Sequence, residues 1–157
     1  MYVTTSGATE IDIVLNNPDY LSPWLTIAPN GTVEVDWGDG SAADTMTGTS
    51  NTTLKYQQHT YANTGSYIIK LAVISGNFSF YNSSTDYDGV LRAAANATSR
   101  VKNRIYSGTI MAIRMGSDAK LENYCFANLI NCVRITIPNN VTSIGSNAFF
   151  NCYALQN

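Results

Sequence analysis

Charge is scarce in this sequence. Asp, Glu, Lys and Arg make up 13% of 157 residues, about half the usual share. Ser, Thr, Asn and Gly take their place, a composition common among secreted β-rich proteins. Histidine occurs once, at His59. Any Ser-His-Asp or Cys-His mechanism would have to use that ring, and no G-x-S-x-G stretch accompanies it. There are three cysteines, Cys125, Cys132 and Cys152. An odd count without metal-ligand spacing argues against a disulfide framework and a zinc site, so all three read as small buried hydrophobes. No apolar run approaches the ~20 residues of a membrane span, which argues against membrane insertion. The opening "MYVTTSGATE" lacks the basic-then-apolar order of an export signal. The chain is therefore expected to be intracellular or an excerpt of an exported protein.

The net charge of −2 gives no footprint for nucleic acid. It is unevenly spread, however. Residues 1–79 hold 2 basic and 7 acidic side chains, and residues 80–157 hold 7 and 4. That asymmetry suggests two units.

What is present is β patterning. "EIDIVL", "WLTIAP" and "TVEVDW" alternate, and Asn30-Gly31 between the last two predicts a hairpin turn. "SYIIKLAVI" predicts a strand with Tyr67, Ile69, Leu71 and Val73 on one face. The intervening "SAADTMTGTSNTTLKYQQ" reads as polar loop. Strands at this spacing suggest a small antiparallel sandwich. Residues 81–88 read as a linker. Beyond it, Val90, Leu91, Ala94, Val101 and Ile105 form a candidate helical stripe, capped by Asp88 and ended by Gly108.

The last fifty residues repeat. At an offset of 23, Leu121 aligns with Ile144, Cys125 with Ala148, Phe126 with Phe149, Asn128 with Asn151 and Cys132 with Leu155. Ile113 and Met115 align with Ile135 and Ile137 at 22. A period in the low twenties belongs to leucine-rich repeats.

Two stretches carry resemblances. Trp37-Gly38-Asp39-Gly40, then His59-Thr60-Tyr61, then Gly65 and Tyr67 resemble a PKD (polycystic kidney disease type) domain over about residues 5–80. The resemblance implies an immunoglobulin-like β-sandwich used as a spacer or binding module. Ile135, Ile137, Pro138, Val141, Ile144, Gly145, Ala148, Phe149, Cys152 and Leu155 resemble the BspA-type leucine-rich repeat of bacterial surface proteins. The preceding repeat, about 112–134, departs with Gly116 for the proline and Cys125 for the alanine. This resemblance implies a curved solenoid that binds proteins or glycans.

The expected architecture is mainly β. Residues 1–80 form a PKD-like sandwich, 81–108 a linker and capping segment, and 109–157 about two BspA-type repeats of a short solenoid. The chain stops one strand after a near-consensus repeat. The natural protein is therefore expected to continue, or the open solenoid end to pack on another copy.

Candidate chemistry is thin. "VEVDWGDGS" ends a strand in two glycines and several acids. Asp36, Asp39 and Asp44 are candidate calcium ligands. Calcium wants six to eight oxygens, and three acids without EF-type spacing favour a hairpin corner with Trp37 buried behind it. His59 reads as a corner residue. Tyr81, Tyr87 and Tyr106 are candidates for carbohydrate stacking, against packing between the two units. Outward positions of the repeat strands, Arg114 and Thr136 with Arg134 beside them, are candidate ligand contacts. Asn-x-Ser/Thr triplets recur at Asn30, Asn51, Asn77, Asn82, Asn96 and Asn140. Many arise by chance in so Asn-, Ser- and Thr-rich a chain, and they matter only in a host that glycosylates exported proteins, which the bacterial resemblance argues against.

The sequence thus points to a non-enzymatic cell-surface or secreted adhesion fragment without cofactor, with a protein or glycan partner. Its alternatives are an accessory region of a secreted hydrolase and a structural part of a phage or surface appendage.

Overall fold

A computed structural model of the chain describes residues 7–82, 89–95 and 100–156. The protein is mainly β. Its elements are β1 (Thr9–Leu15), β2 (Trp24–Asp36), β3 (Asp44–Thr49), β4 (Lys55–Gln58), β5 (Gly65–Phe80), β6 (Leu91–Arg92), α1 (Arg100–Ser107), β7 (Ile110–Arg114), β8 (Ala119–Leu121) and β9 (Arg134–Thr136). Among the described residues the strands form one open sheet in the order β3-β2-β5-β1-β7-β9. β4 and β6 join the sheet on β2, and β8 joins it on β5.

β1 alternates as its sequence predicts. Ile11, Ile13 and Leu15 are buried, and Glu10, Asp12 and Val14 are half-buried on the other face. β1 pairs antiparallel with β5 on one side and β7 on the other. The sheet therefore passes from the first half of the chain into the repeats without a gap. β7 and β9 run parallel, with Ala112, Ile113 and Arg114 opposite Arg134, Ile135 and Thr136. Parallel neighbours need a crossover connection, and the repeat between them supplies it.

Asn30-Gly31 is not a hairpin turn. Both residues lie inside β2, which runs unbroken for 13 residues. The N-terminal part, Leu25–Pro29, is buried on both faces, and the C-terminal part alternates. Residues Trp24–Ile27 pair with β4, and Trp24–Leu25 also with β6. Residues Ala28–Asp36 pair with β5, and Asn30–Val35 also with β3. The glycine serves close approach rather than a turn. Gly31 stands opposite Gly48 on β3 and Gly76 on β5, where side chains would collide with neighbouring backbone.

Two further expectations are corrected. The polar stretch 41–58 holds β3 and β4. In β3 only Met46 is fully buried, so Thr45, Thr47 and Thr49 hide the apolar signal. The helix is also shorter than predicted. Leu91 lies in β6, paired with Leu25, and α1 begins at Arg100. Gly108 follows α1 as predicted, donating to the Arg104 carbonyl at 2.8 Å. Tyr87 and Asp88, with the Asn96 triplet, lie outside the described residues.

The core is one cluster spanning both halves. Trp37, Tyr61, Phe78, Phe80 and Phe126 are its largest fully buried side chains. Ile113 and Met115 are buried in it, and Ile135 and Ile137 pack against it half-buried.

Candidate ligand-facing surface

Strand registers assemble the outer sheet face from residues far apart in the chain. One row reads Asp36 (β2), Lys70 (β5), Glu10 (β1), Arg114 (β7) and Thr136 (β9). The next reads Ile68, Asp12, Ala112 and Arg134. Directly opposed residues on one face are the unit of sheet stabilisation, and opposite charges there attract.

Arg114 is consumed by this arrangement. Its Nε and Nη2 donate to Glu10 Oε2 at 3.1 and 2.7 Å. Its Nη1 and Nη2 donate to Asp12 Oδ2 and Oδ1 at 2.9 and 2.7 Å. The hydrogen bonds from Asp12 and then Glu10 push the guanidinium pKa further above its usual value, against the effect of burial. The structure does bring the three predicted ligand contacts together, with Arg114 opposite Thr136 and Arg134 one row away. Of the three, Arg134 and Thr136 have no such partners among the described residues. Both are exposed on β9, the last strand of the sheet. Among the described residues Arg134 forms no salt bridge. Sequence reasoning missed Glu10 and Asp12. The signal was available, since "EIDIVL" places acids at alternate outward positions.

The Asp36–Asp44 corner is built from hydrogen bonds. The Trp37 ring is buried and stacks on His59, with centroids 4.8 Å apart and an interplanar angle of 8°. Its Nε1 donates to Asp44 Oδ2 at 2.7 Å. Tyr61 donates to the Trp37 carbonyl at 2.8 Å and packs edge-on against His59. Asp36 Oδ1 accepts the Gly38 N–H at 2.9 Å, a local turn bond. Asp39 pairs with His59 Nε2 at 2.7 Å and accepts from both the N–H and the hydroxyl of Ser41. Burial raises the Asp39 pKa, but the Ser41 and His59 hydrogen bonds outweigh it and hold it at about 2. Each of the three calcium candidates thus already serves as an acceptor for a different donor. Among the described residues no group of three or more His, Cys, Asp or Glu is placed to hold a metal ion.

Polar contacts recur along the repeats at the sequence period. Asn131 Nδ2 donates to the Gly108 carbonyl and Asn140 Nδ2 to the Ser117 carbonyl. Asn123 Oδ1 accepts the Ser146 N–H, and Asn151 Nδ2 donates to Asn128 Oδ1. Every pair is separated by 23 residues. The backbone repeats in step, with positive φ at Tyr124 and Asn147 and again at Asn128 and Asn151.

The three thiols are free. Burial raises Cys125 to about 12 and Cys132 to about 11, and raises Cys152 as well. Thiols held protonated are poor nucleophiles. Tyr106 is buried, packs edge-on against Tyr20 and accepts the Ser22 N–H, so it serves packing rather than stacking on a ligand. Asn82 is buried and accepts from Arg92, which removes that triplet from any surface chemistry.

No curated protein and no solved structure matches the chain. Residues 98–157, which include α1 and the repeats, match the family described as BspA type leucine rich repeat region (6 copies).

Proposed function

We propose that the chain is a non-enzymatic, ligand-binding piece of a bacterial cell-surface or secreted protein. Its partner class is protein or glycan, and its role is adhesion. BspA-type repeats are typical of such surface proteins, and residues 98–157 match them. One observation carries the reading. The repeats stack through parallel strands and asparagine contacts at a constant spacing, leaving Arg134 and Thr136 exposed side by side on the last strand. On this reading the stacked repeats act as a short solenoid whose outer strand face meets the ligand. Each repeat adds a weak contact, and several together give avidity. The first half acts as a PKD-like spacer. The residues of its two motifs, Trp37, Asp39, His59 and Tyr61, meet in one corner, which fits that resemblance.

The test is binding of the purified chain to an array of glycans and matrix proteins, beside an Arg134→Ala/Thr136→Ala variant. A hit weakened by the double change supports the reading. A hit indifferent to it moves recognition off this face, and catalytic turnover by the purified chain would sink it.

A further inference from the structure

A groove lies where the end of β1 and its following loop meet the C-terminal end of α1 and the 130–131 loop. Its volume is about 410 Å³, within the range of small-molecule sites, roughly 300–1,000 Å³. We propose that this groove binds a short acidic saccharide of the uronate type. The groove's lining includes neither Arg134 nor Thr136, and the proposal stands whether or not those two bind a ligand.

The walls are preformed. Val14 donates to the Thr109 carbonyl at 2.9 Å, tying β1 to the segment after α1. Tyr20 is held by its N–H bond to the Asn17 carbonyl at 3.1 Å and by its edge contact with Tyr106. Asn131 is held by its bond to the Gly108 carbonyl at 2.8 Å. That bond uses the amide nitrogen, and among the described residues Oδ1 has no hydrogen-bond donor.

The lining combines what a sugar acid requires. Met111 and Ile130 offer an apolar surface to a ring face, and Ile130 is exposed. Tyr20 adds an aromatic body with a polar tip. Asn16 and Asn131 place planar amides beside them for hydroxyls. Among the described residues Arg104 is the one charged side chain of the lining. It forms no salt bridge among the described residues, and its planar fork matches a carboxylate. Among the described residues no acid lines the groove to repel that carboxylate. A peptide fits less well. Strand addition, one common mode of peptide docking, is closed here, because β1 is already paired on both sides. The ordinary role of an Arg at this place is to offset the helix dipole, and the experiment separates the two.

The whole chain is titrated with digalacturonate, with its methyl ester and with sodium acetate, following heat and backbone amide shifts. Digalacturonate is expected to bind and to shift the amides of Gly108 and Asn131. The ester and the Arg104→Ala variant should each weaken binding roughly tenfold or more, and Arg104→Lys should retain part of it. Tyr20→Ala should weaken acid and ester alike. Equal binding of acid and ester, equal binding by Arg104→Ala, or equal shifts with acetate alone would each overturn the proposal. So would a flat titration to about 10 mM ligand. The ester comparison uses the unaltered chain, so it decides even where a variant folds poorly.

Discussion

Gly31 and Gly76 face one another across β2 and β5 with no room for a side chain on either. A Cβ on Gly31 would lie 2.1 Å from the Ser75 carbonyl oxygen, and one on Gly76 would lie 2.0 Å from that of Asn30. Both contacts are with backbone, which cannot swing aside. Both glycines also have positive φ, 133° and 70°. Gly76→Ala is therefore expected to destabilise the fold by about 2–4 kcal/mol. Urea unfolding should show a lower midpoint. A change within about 0.5 kcal/mol would mean that the strands separate freely at this point.

Arg114 predicts a stability effect in place of the binding effect its position suggests. Arg114→Ala removes four hydrogen bonds and leaves Glu10 and Asp12 adjacent without their cation. The side chains are about one third exposed, so solvent screening limits the loss to about 1–2 kcal/mol. Added salt should narrow the difference between variant and parent. Arg134→Ala should change stability by less than about 0.5 kcal/mol. Equal destabilisation by the two changes would contradict the pairing.

Asp39 predicts an acid-sensitive corner. Its carboxyl titrates at about 2 in the folded chain, below its ordinary 3.8. The folded state thus holds the ionised form more tightly. That contribution is complete above about pH 4 and disappears as pH falls through 2. Asp39→Asn should cost about 1 kcal/mol at pH 6, after allowance for screening. The two proteins should converge near pH 2. Thermal melts across that range measure the difference, and a gap that is constant with pH would remove the carboxylate from the account.

Asn128 predicts where the repeat stack is most sensitive. It is buried, has φ of 64° and accepts the Asn151 amide at 3.0 Å. Asn tolerates the left-handed region better than Ala, so Asn128→Ala suffers twice, losing about 2–3 kcal/mol. Asn128→Gly keeps the backbone but loses the side chain, and should fall between the two. Hydrogen exchange at the amides of Phe126 and Asn128, which bond to Ala148 and Phe150 of the next repeat, gives a local readout. Unchanged protection in Asn128→Ala would show that the asparagine contacts do not hold the repeats together.

Local pattern was enough for much of this protein. Alternation in "TVEVDW" put Trp37 inside, where it is fully buried. The period of 22–23 found the stacked segments and the inward Ile113 and Met115, because each repeat buries the same positions against its neighbour. Gly108 ended a helix at the predicted place. Tertiary structure decided the rest. Asn30-Gly31 is turn chemistry read locally, yet two glycines on β3 and β5 make it a crossing point inside one long strand. β3 was hidden because a Thr-rich edge strand buries one large side chain, too few to show a period. Arg114 read as a free outward cation, since its acids lie 102 and 104 residues away and only the β1–β7 register brings them near. The Tyr20–Arg104 groove was illegible for the same reason. Periodicity reports which face a residue takes, whereas partners across a sheet depend on register and strand order, set by the packing of the whole core.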